Sequence, residues 1–238
     1  MSIAAANVLE VEHLDVRFGE KRVLADMSFQ VPAGSALAII GPNGSGKTVL
    51  FRALIGSIPH AGVVRWASGA RIGFVPQKLD IQRDLPLTGL DVLRAKASVS
   101  GAPVHQLSHA LELVNLDAAI AEQPIGTLSG GQFQRLLLAS ALVGNPSVLL
   151  FDEPTASVDE PGEELLYEMI HRLQQQRRLT LLLISHELSL VYRYATNVLC
   201  LSRTMRPCLG PPREILTPET LEQVYGTPVK YHRHDDLG

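Results

Sequence analysis

Hydrophobic and polar positions alternate at the start of the chain and then give way to a continuous apolar run. Residues 8–18 and 23–31 show short apolar alternation on either side of a Gly-Glu break, which is typical of adjacent strands in a half-buried antiparallel sheet. The apolar residues 35–40 then meet a glycine-rich turn, and a helix-compatible stretch follows at residues 47–55. This order predicts a strand, a loop and a helix.

The middle of the chain changes to a helical pattern. A strand is predicted at residues 71–75, and helical patterns then dominate from about residue 79 to 143, with prolines at positions 86, 103 and 124 as breaks. We interpret this stretch as an inserted helical subdomain at about residues 79–145. The length suits one large domain, so we expect residues 1–238 to form a single domain that contains this insertion.

Strand and helix patterns alternate again after the helical stretch. The sequence predicts a strand at residues 148–151, a helix at about residues 162–175 and a strand at residues 179–184. Alternating strands and helices favour an α/β fold, here with an antiparallel β subdomain near the start. No internal repeat or low-complexity segment interrupts this order.

Composition and charge exclude several classes of protein. Hydrophobic residues make up 46% of the sequence, enough for a substantial core, but every apolar run is far shorter than the roughly 20 residues that cross a bilayer. Glu10 and Glu12 near the start, with no basic residue before them, do not resemble a secretory signal, so we expect a cytoplasmic protein. The two cysteines, Cys200 and Cys208, are interpreted as reduced thiols. A net charge of -3 does not indicate nucleic-acid binding.

A complete phosphate-binding motif lies between the first predicted strand–helix pair. Its pattern is G-x-x-x-x-G-K-[ST], in which glycines let backbone N–H groups point at phosphates and the helix N-terminus adds positive potential. The lysine is expected to pair with the β- and γ-phosphates of ATP, and the hydroxyl of the last residue to bind Mg²⁺. The motif consists of Gly41, Pro42, Asn43, Gly44, Ser45, Gly46, Lys47 and Thr48.

Two carboxylates end the strand predicted at residues 148–151. Taken alone, an apolar run followed by Asp152 and Glu153 is a common way for a strand to enter a loop, but beside a phosphate-binding motif the pair becomes specific. Asp152 is expected to hold Mg²⁺, directly or through water. Glu153 is expected to orient or deprotonate the attacking water as a general base.

A five-residue string narrows the class of ATPase. Residues 128–132 read Leu-Ser-Gly-Gly-Gln, so a serine and two glycines cap a helix and offer N–H groups to an anion. This string, in order with the two preceding motifs, resembles the signature of the ABC ATPases, and the likeness covers nearly the whole chain. It implies a phosphate-loop (RecA-like) ABC ATPase core with an antiparallel β subdomain and an inserted helical subdomain. The nucleotide-binding residues of the signature are Ser129, Gly130, Gly131 and Gln132.

The resemblance implies roles for four further residues. Phe18 matches the aromatic residue that stacks on adenine, although tyrosine is more frequent there, and Gln77 matches a glutamine that reaches Mg²⁺ and the attacking water. Asp159 matches a residue that crosses the dimer interface, and His186 matches the switch histidine that contacts the γ-phosphate. Without the resemblance, each position has a simpler interpretation. Phe18 would be a core residue, Gln77 an ordinary glutamine, Asp159 part of a helix-capping turn and His186 a structural histidine.

Two positions depart from the family pattern. Ser140 replaces an arginine that is frequent after the signature helix begins, and Glu187 replaces a frequent aspartate after the histidine. Neither change removes a group with a role in hydrolysis. The sequence therefore predicts an active ATPase.

The resemblance also implies partners. Two copies are expected to face each other head to tail with two ATP molecules between them, each held by one copy's phosphate loop and the other's signature. ATP closes this homodimer and hydrolysis releases it. The helical subdomain near Gln77 would pass the motion to an integral membrane permease at the cytoplasmic face of the membrane, and an extracytoplasmic solute-binding protein would deliver the cargo.

The cargo is inferred from resemblance alone. Residues 77–80, 85–88 and 197–209 look like the corresponding segments of ATPases from zinc and manganese uptake systems. The tail is similar to that group as well, and its side chains suit a divalent metal, although a solvated terminus explains them equally; they are His232, Arg233, His234, Asp235 and Asp236. The function expected is ATP-driven uptake of a divalent metal.

Three other functions stay open as alternatives. The same ATPase role for another solute, such as an iron complex or haem, keeps every motif. A soluble ABC ATPase that acts on DNA or the ribosome usually carries long coiled coils or two ATPase domains, and this sequence has neither. A small-molecule kinase would use the phosphate loop but would leave the signature string unexplained.

Overall fold

The structure, a computed structural model, describes residues 6–77, 85–153, 160–202 and 207–227. The chain divides into two compact units, the first formed by residues 1–70 and 180–238 and the second by residues 71–179. The helical subdomain predicted at about residues 79–145 falls inside the second unit, which also takes in a helix and strands on either side of it. Its own boundaries stay a prediction.

Strands dominate the first part of the described chain and helices its middle, and the two alternate from residue 148 to residue 200. The strands are β1 (Asn7–Phe18), β2 (Lys21–Pro32), β3 (Ala36–Ile40), β4 (Ala61–Trp66), β5 (Ile72–Val75), β6 (Val148–Asp152), β7 (Thr180–Ile184), β8 (Asn197–Cys200) and β9 (Cys208–Gly210). The helices are α1 (Lys47–Leu54), α2 (Gly89–Ser100), α3 (His105–Leu113), α4 (Ala118–Ala121), α5 (Gly130–Leu142), α6 (Glu160–Arg177), α7 (Leu188–Tyr194), α8 (Pro212–Ile215) and α9 (Pro218–Tyr225). Within the described ranges, none of these helices is both long and apolar enough to span a bilayer.

An antiparallel sheet opens the first unit, in the order β2-β1-β4. Its strands β1 and β2 confirm the two strands predicted from alternating hydrophobicity, because their apolar positions are buried and the polar positions between them are not. Positive φ angles at His13 (50°) and Asp26 (49°) lie near shifts in the β1–β2 register, as expected where bulges interrupt a ladder. The third strand, β4, had no clear pattern of its own in the sequence.

Parallel strands form the second sheet region of the first unit, in the order β7-β3-β8, with β9 added antiparallel at the edge of β8. All five residues of β3 and all five of β7 are buried. This is the pattern of parallel strands covered on both faces, and it explains why both segments read as continuous apolar runs. Part of the cover comes from α7 and α9, whose Leu188, Val191, Leu221 and Val224 pack with strand residues such as Ile40 and Val198, and from Leu216, which directly follows α8.

The second unit pairs β5 with β6 in parallel, in a register that runs from Ile72 opposite Val148 to Val75 opposite Phe151. Its helices begin at well-formed caps. In α2 the cap is Thr88 with Asp91, and in α5 it is Ser129 with Gln132; each pair is a capping box with both reciprocal hydrogen bonds. Helix α5 has the most buried residues of the group, among them Leu136, Leu138 and Ala139.

Candidate functional site

The candidate phosphate site of the first unit lies at the carboxyl edge of two parallel strands. Strands β3 and β7 are neighbours, with Ile39 opposite Ile184, so the loops that follow them leave the sheet at the same edge. Residues 41–46 follow β3, and Ser185 and His186 follow β7. Ligands of open α/β sheets bind at this edge. The structure therefore brings the predicted phosphate loop and the predicted switch histidine to one end of the same sheet.

The glycines of the loop are required by its backbone. Gly41, Gly44 and Gly46 have φ angles of 147°, 74° and 103°, which disfavour residues with a Cβ. A Cβ on Gly41 would lie 2.0 Å from the carbonyl oxygen of Leu201, and one on Gly46 would lie 2.8 Å from Cδ2 of Leu24. The loop is thus folded tightly against the end of β8 and against β2, with its backbone rather than side chains available to a ligand.

Lys47 carries a buried positive charge at the centre of this loop. Its residue exposure is 5%, and Nζ donates hydrogen bonds to the carbonyl oxygens of Gly41 at 2.8 Å and Pro42 at 3.3 Å. Because a buried ammonium is costly without nearby acceptors, these contacts hold the side chain curled back over the loop. The same ammonium can pair with a phosphate.

Ser45 supplies an independent sign that the loop is built for a ligand. Its Oγ is buried, and the described part of the chain offers it no hydrogen-bond partner. Buried hydroxyls in proteins are normally hydrogen-bonded, so an orphaned one calls for a missing partner. Because Ser45 lies beside Lys47 and the N-terminus of α1, a phosphate oxygen would be a suitable partner for its hydroxyl. The residues present therefore fit a nucleotide.

His186 and Phe18 are both exposed at the surface of the first unit. The turn that carries His186 is fixed by the buried Ser185, whose Oγ accepts a hydrogen bond of 3.0 Å from the N–H of Glu187. Phe18 ends β1 and is 51% exposed, which is unusual for a phenylalanine and rules out the simpler interpretation as a core residue. An exposed aromatic ring is suited to stacking on a base.

The second unit holds the predicted acids at the carboxyl edge of its own strand pair. Gln77 follows β5, while Asp152 ends β6 and Glu153 follows it. Asp152 is 2% exposed, so its carboxylate is buried. The side-chain amide Nε2 of Gln77 donates a hydrogen bond to Oε2 of Glu153. The glutamine and the glutamate that the sequence assigned to the attacking water are thus brought together by the fold.

Glu153 has a strained backbone. Its φ angle is 52°, in the left-handed region that residues with a Cβ rarely adopt. Such strain costs on the order of 1–3 kcal/mol and is concentrated at functional positions. The strained turn directs the carboxylate toward Gln77 immediately after a buried strand.

The donor groups predicted for Mg²⁺ have suitable chemistry. Mg²⁺ prefers hard oxygen ligands, and the candidates offer a hydroxyl from Thr48, a carboxylate from Asp152 and an amide oxygen from Gln77. The Gln77 amide already donates through its nitrogen to Glu153, which leaves its oxygen to act as an acceptor.

The signature residues form the N-terminus of the buried helix α5. Ser129 Oγ accepts from the N–H of Gln132 at 3.3 Å, and Gln132 Oε1 accepts from the N–H of Ser129 at 2.9 Å. Ser129 is exposed, and a Cβ placed on Gly131 would meet nothing within 4 Å. The amino end of this 13-residue helix is therefore open to an anion, which the helix dipole favours.

Some predicted residues lie outside the described ranges. Asp159 is among them, as are residues 78–80 and the His232 to Asp236 tail. The structure in turn adds residues that the sequence did not single out, above all Leu201, whose carbonyl abuts Gly41. A leucine after a short apolar strand carries no local signal of that contact, which depends on the packing of β8 beside β3.

Known proteins similar to this chain are ABC transporter proteins and their ATP-binding subunits. A family model described as ABC transporter matches residues 24–156. The zinc import ATP-binding protein ZnuC of Cereibacter sphaeroides is 39% identical over 225 residues, which cover 92% of this chain and 88% of that protein. The ZnuC protein of Photorhabdus laumondii is 35% identical over 237 residues, covering 97% of this chain and 90% of that protein.

Solved structures agree with the sequence relatives. A provisionally assigned metal-chelate type ABC transporter in an inward-facing conformation has a TM-score of 0.85 at 26% identity, over 94% of this chain and 90% of that one. The ADP conformation of an ABC transporter ATP-binding cassette has a TM-score of 0.78 at 23% identity, over 92% and 98% of the two chains. This second likeness supports the fold.

Proposed function

Because this chain belongs to the ABC transporter family, we propose that it powers the uptake of a divalent metal, zinc or manganese, through a separate membrane permease. The chain is an ATPase, and ATP-binding subunits of import systems act with such a permease. The observation that carries the nucleotide role is the phosphate loop, in which a buried Lys47 and an orphaned Ser45 hydroxyl lie beside the start of α1.

The phosphate loop binds the triphosphate in this proposal. Backbone N–H groups of residues 41–48 and the ammonium of Lys47 surround the phosphates, while Phe18 stacks on the adenine. Thr48 contributes a hydroxyl to Mg²⁺, and Asp152 and Gln77 contribute further oxygens. When bound, Mg²⁺ neutralises charge on the phosphates. His186 contacts the γ-phosphate from the turn after β7.

Glu153 acts on the attacking water. Its carboxylate accepts a hydrogen bond from Gln77 through Oε2, which orients the group to accept a proton from water. Gln77 is a positioning residue for the base as well as a contact for the water. A glutamine in place of Glu153 keeps the shape of the group and removes its ability to accept that proton.

The exposed amino end of α5 is the surface proposed for a second copy of the chain. In the closed homodimer, Ser129, Gly130, Gly131 and Gln132 of one copy meet the γ-phosphate bound by the phosphate loop of its partner, and Asp159 crosses the interface. We expect a Glu153→Gln chain to dimerise with ATP and Mg²⁺ in sizing experiments. A chain that stays monomeric under those conditions contradicts this arrangement.

The metal cargo is supported by the relatives. Two of them carry the name zinc import ATP-binding protein, and each matches more than nine-tenths of this chain. In the proposed system the chain binds the cytoplasmic face of the permease, and an extracytoplasmic solute-binding protein delivers the metal. In this proposal the chain supplies the energy of ATP hydrolysis, and the permease provides the path for the metal.

The proposal is tested by the metal content of cells. Total zinc, manganese and iron are measured in cells that lack this chain, grown in metal-poor medium and complemented with wild type or with Glu153→Gln. Selective loss of zinc or manganese that only wild type restores supports the proposal. Unchanged metals, or a selective loss of iron, refute the cargo and direct the search to other solutes.

A further inference from the structure

The two cysteines of the chain lie opposite each other on adjacent antiparallel strands. Strands β8 and β9 pair in a register that places Cys200 directly across from Cys208. Residues at directly opposite positions have Cα atoms about 4.5 or 5.5 Å apart. Both separations fall in the range of about 4.4–6.8 Å that a disulfide spans. The register therefore permits a bond between the two sulfurs with little movement of the backbone.

The two thiols differ in environment. Both are free; Cys200 is fully buried, whereas Cys208 is partly exposed. A hydrogen bond between the two thiols lowers the pKa of Cys208 and, together with burial, raises the pKa of Cys200 above the ordinary value. An oxidant from the solvent therefore reaches Cys208 first, and the lowered pKa favours its reactive thiolate form. Cys200 is the neighbouring thiol that can then react with the oxidised Cys208 to form a disulfide.

This cysteine pair is connected to the phosphate loop through its neighbours. Cys200 lies opposite Ile40 in the β3–β8 pairing, and the N–H of Leu201 donates to the carbonyl of Ile40 at 2.9 Å. The carbonyl oxygen of Leu201 then abuts Gly41, the first residue of the loop, with no room for even a methyl group between them. A displacement of residues 200 and 201 is therefore transmitted to Gly41.

We propose that Cys200 and Cys208 form an oxidation-sensitive dithiol site whose conversion to a disulfide slows ATP hydrolysis. The oxidant is a peroxide. The Cys208 thiolate attacks one peroxide oxygen and breaks the O–O bond; the departing hydroxide takes a proton and leaves as water, with Cys208 as a sulfenic acid. The Cys200 sulfur then attacks the Cys208 sulfur and expels hydroxide, which leaves as a second water with the Cys200 proton. The sulfurs lose two electrons and the peroxide gains them.

Slower hydrolysis follows from the contact between Leu201 and Gly41. The disulfide joins the end of β8 covalently to β9, so Cys200 and the adjacent Leu201 lose freedom to adjust. Because the Leu201 carbonyl lies tightly against Gly41, the phosphate loop loses the small adjustments by which it positions the phosphates. The same bond is reversible by reductant, as expected of disulfides with a sensing role in a reducing compartment.

The test uses the full chain, which contains only these two cysteines, so thiol counting reports on them alone. Purified reduced protein is treated with hydrogen peroxide, the peroxide is removed, and thiol number, intact mass and ATPase rate are measured before and after reduction. The expected result is loss of both thiols, a mass lower by two hydrogen atoms, and an ATPase rate that falls several-fold and recovers with reductant.

The matched control is Cys208→Ser, which removes the partly exposed thiol and leaves the phosphate loop untouched. Its ATPase rate is expected to equal that of the reduced wild type and to resist the same peroxide treatment. Cys208→Ala serves if the serine variant is unstable. A mass gain of oxygen without a disulfide, a disulfide with unchanged ATPase, or equal peroxide inhibition of the control overturns the proposal.

Discussion

Gln77 donates a hydrogen bond to Glu153 across the carboxyl ends of two paired parallel strands, so the side chain after β5 fixes the side chain after β6.

If Glu153 is the general base, Glu153→Gln should lower the ATPase rate by about 10²–10⁴-fold while ATP still binds, because the amide keeps the shape but cannot accept the proton. Steady-state hydrolysis and equilibrium ATP binding measure the two quantities. Glu122→Gln, on an exposed turn, is the control and should hydrolyse ATP at the wild-type rate. Weakened ATP binding in Glu153→Gln would instead indicate a role in holding the nucleotide.

Lys47 should govern ATP affinity. Its side chain is buried and Nζ donates to the carbonyl oxygens of Gly41 and Pro42, at the start of the loop, where a phosphate would gain a strong charge-assisted hydrogen bond from the ammonium. Replacing Lys47 with alanine should weaken ATP binding by at least about tenfold, the loss expected for a hydrogen bond to a charged group. Fluorescent-nucleotide titration measures the affinity. Lys96→Ala, on α2, serves as the matched control and should bind ATP normally.

The capping boxes of α5 and α2 permit a matched comparison. Ser129→Ala and Thr88→Ala each remove a cap that accepts a hydrogen bond from the third residue of its helix, at 3.3 Å and 3.1 Å. Each should lower the free energy of unfolding by about 1 kcal/mol. Only Ser129→Ala should also lower the ATPase rate, because only that cap lies at the proposed γ-phosphate contact. Equal loss of activity in both variants would point to a general effect of destabilisation.

Gly41 should tolerate no side chain. A Cβ there would lie 2.0 Å from the Leu201 carbonyl oxygen, and the φ angle of 147° adds backbone strain, so we expect Gly41→Ala to lose most of its folding stability. Gly19→Ala is the control. Its φ is 60° but nothing lies within 4 Å, so it should cost only about 1–2 kcal/mol of backbone strain. Urea unfolding distinguishes the two, and similar midpoints would contradict the close contact with Leu201.

The cap of α2 should also contribute a pH-dependent stability. The Thr88 side chain donates a hydrogen bond to the Asp91 carboxylate, and with the Thr88 backbone N–H it holds the pKa of Asp91 below its ordinary value. A carboxyl with a lowered folded pKa stabilises the fold above its unfolded pKa, and this contribution is lost as the pH falls through the folded pKa. The difference in thermal stability between wild type and Asp91→Asn should therefore be largest near neutral pH and shrink in acid. A difference that is constant with pH would contradict this.

Several elements were readable from the sequence because their signals are local. The strands before the phosphate loop were visible as alternating or continuous apolar runs, and β7 and β6 were visible as fully buried runs. Strand β4 was missed, because its residues are mostly exposed or half-buried and its strand identity comes from pairing with β1. Helices α8 and α9 are short, and they are held by packing against β3 and β8.

Local sequence patterns were enough to identify three groups with a chemical role: a glycine-rich loop with Lys47, a strand that ends in Asp152 and Glu153, and a serine-glycine cap before α5. Each group consists of residues that are consecutive in the chain, so the local sequence specifies both its backbone geometry and its functional groups. Which distant residues meet depends on the tertiary fold. Gln77 reaches Glu153 because β5 and β6 are parallel neighbours, and Leu201 backs Gly41 because β8 packs beside β3. Cys200 faces Cys208 because β9 returns antiparallel to β8. Such contacts arise from strand order and register, which local patterns of residues do not encode.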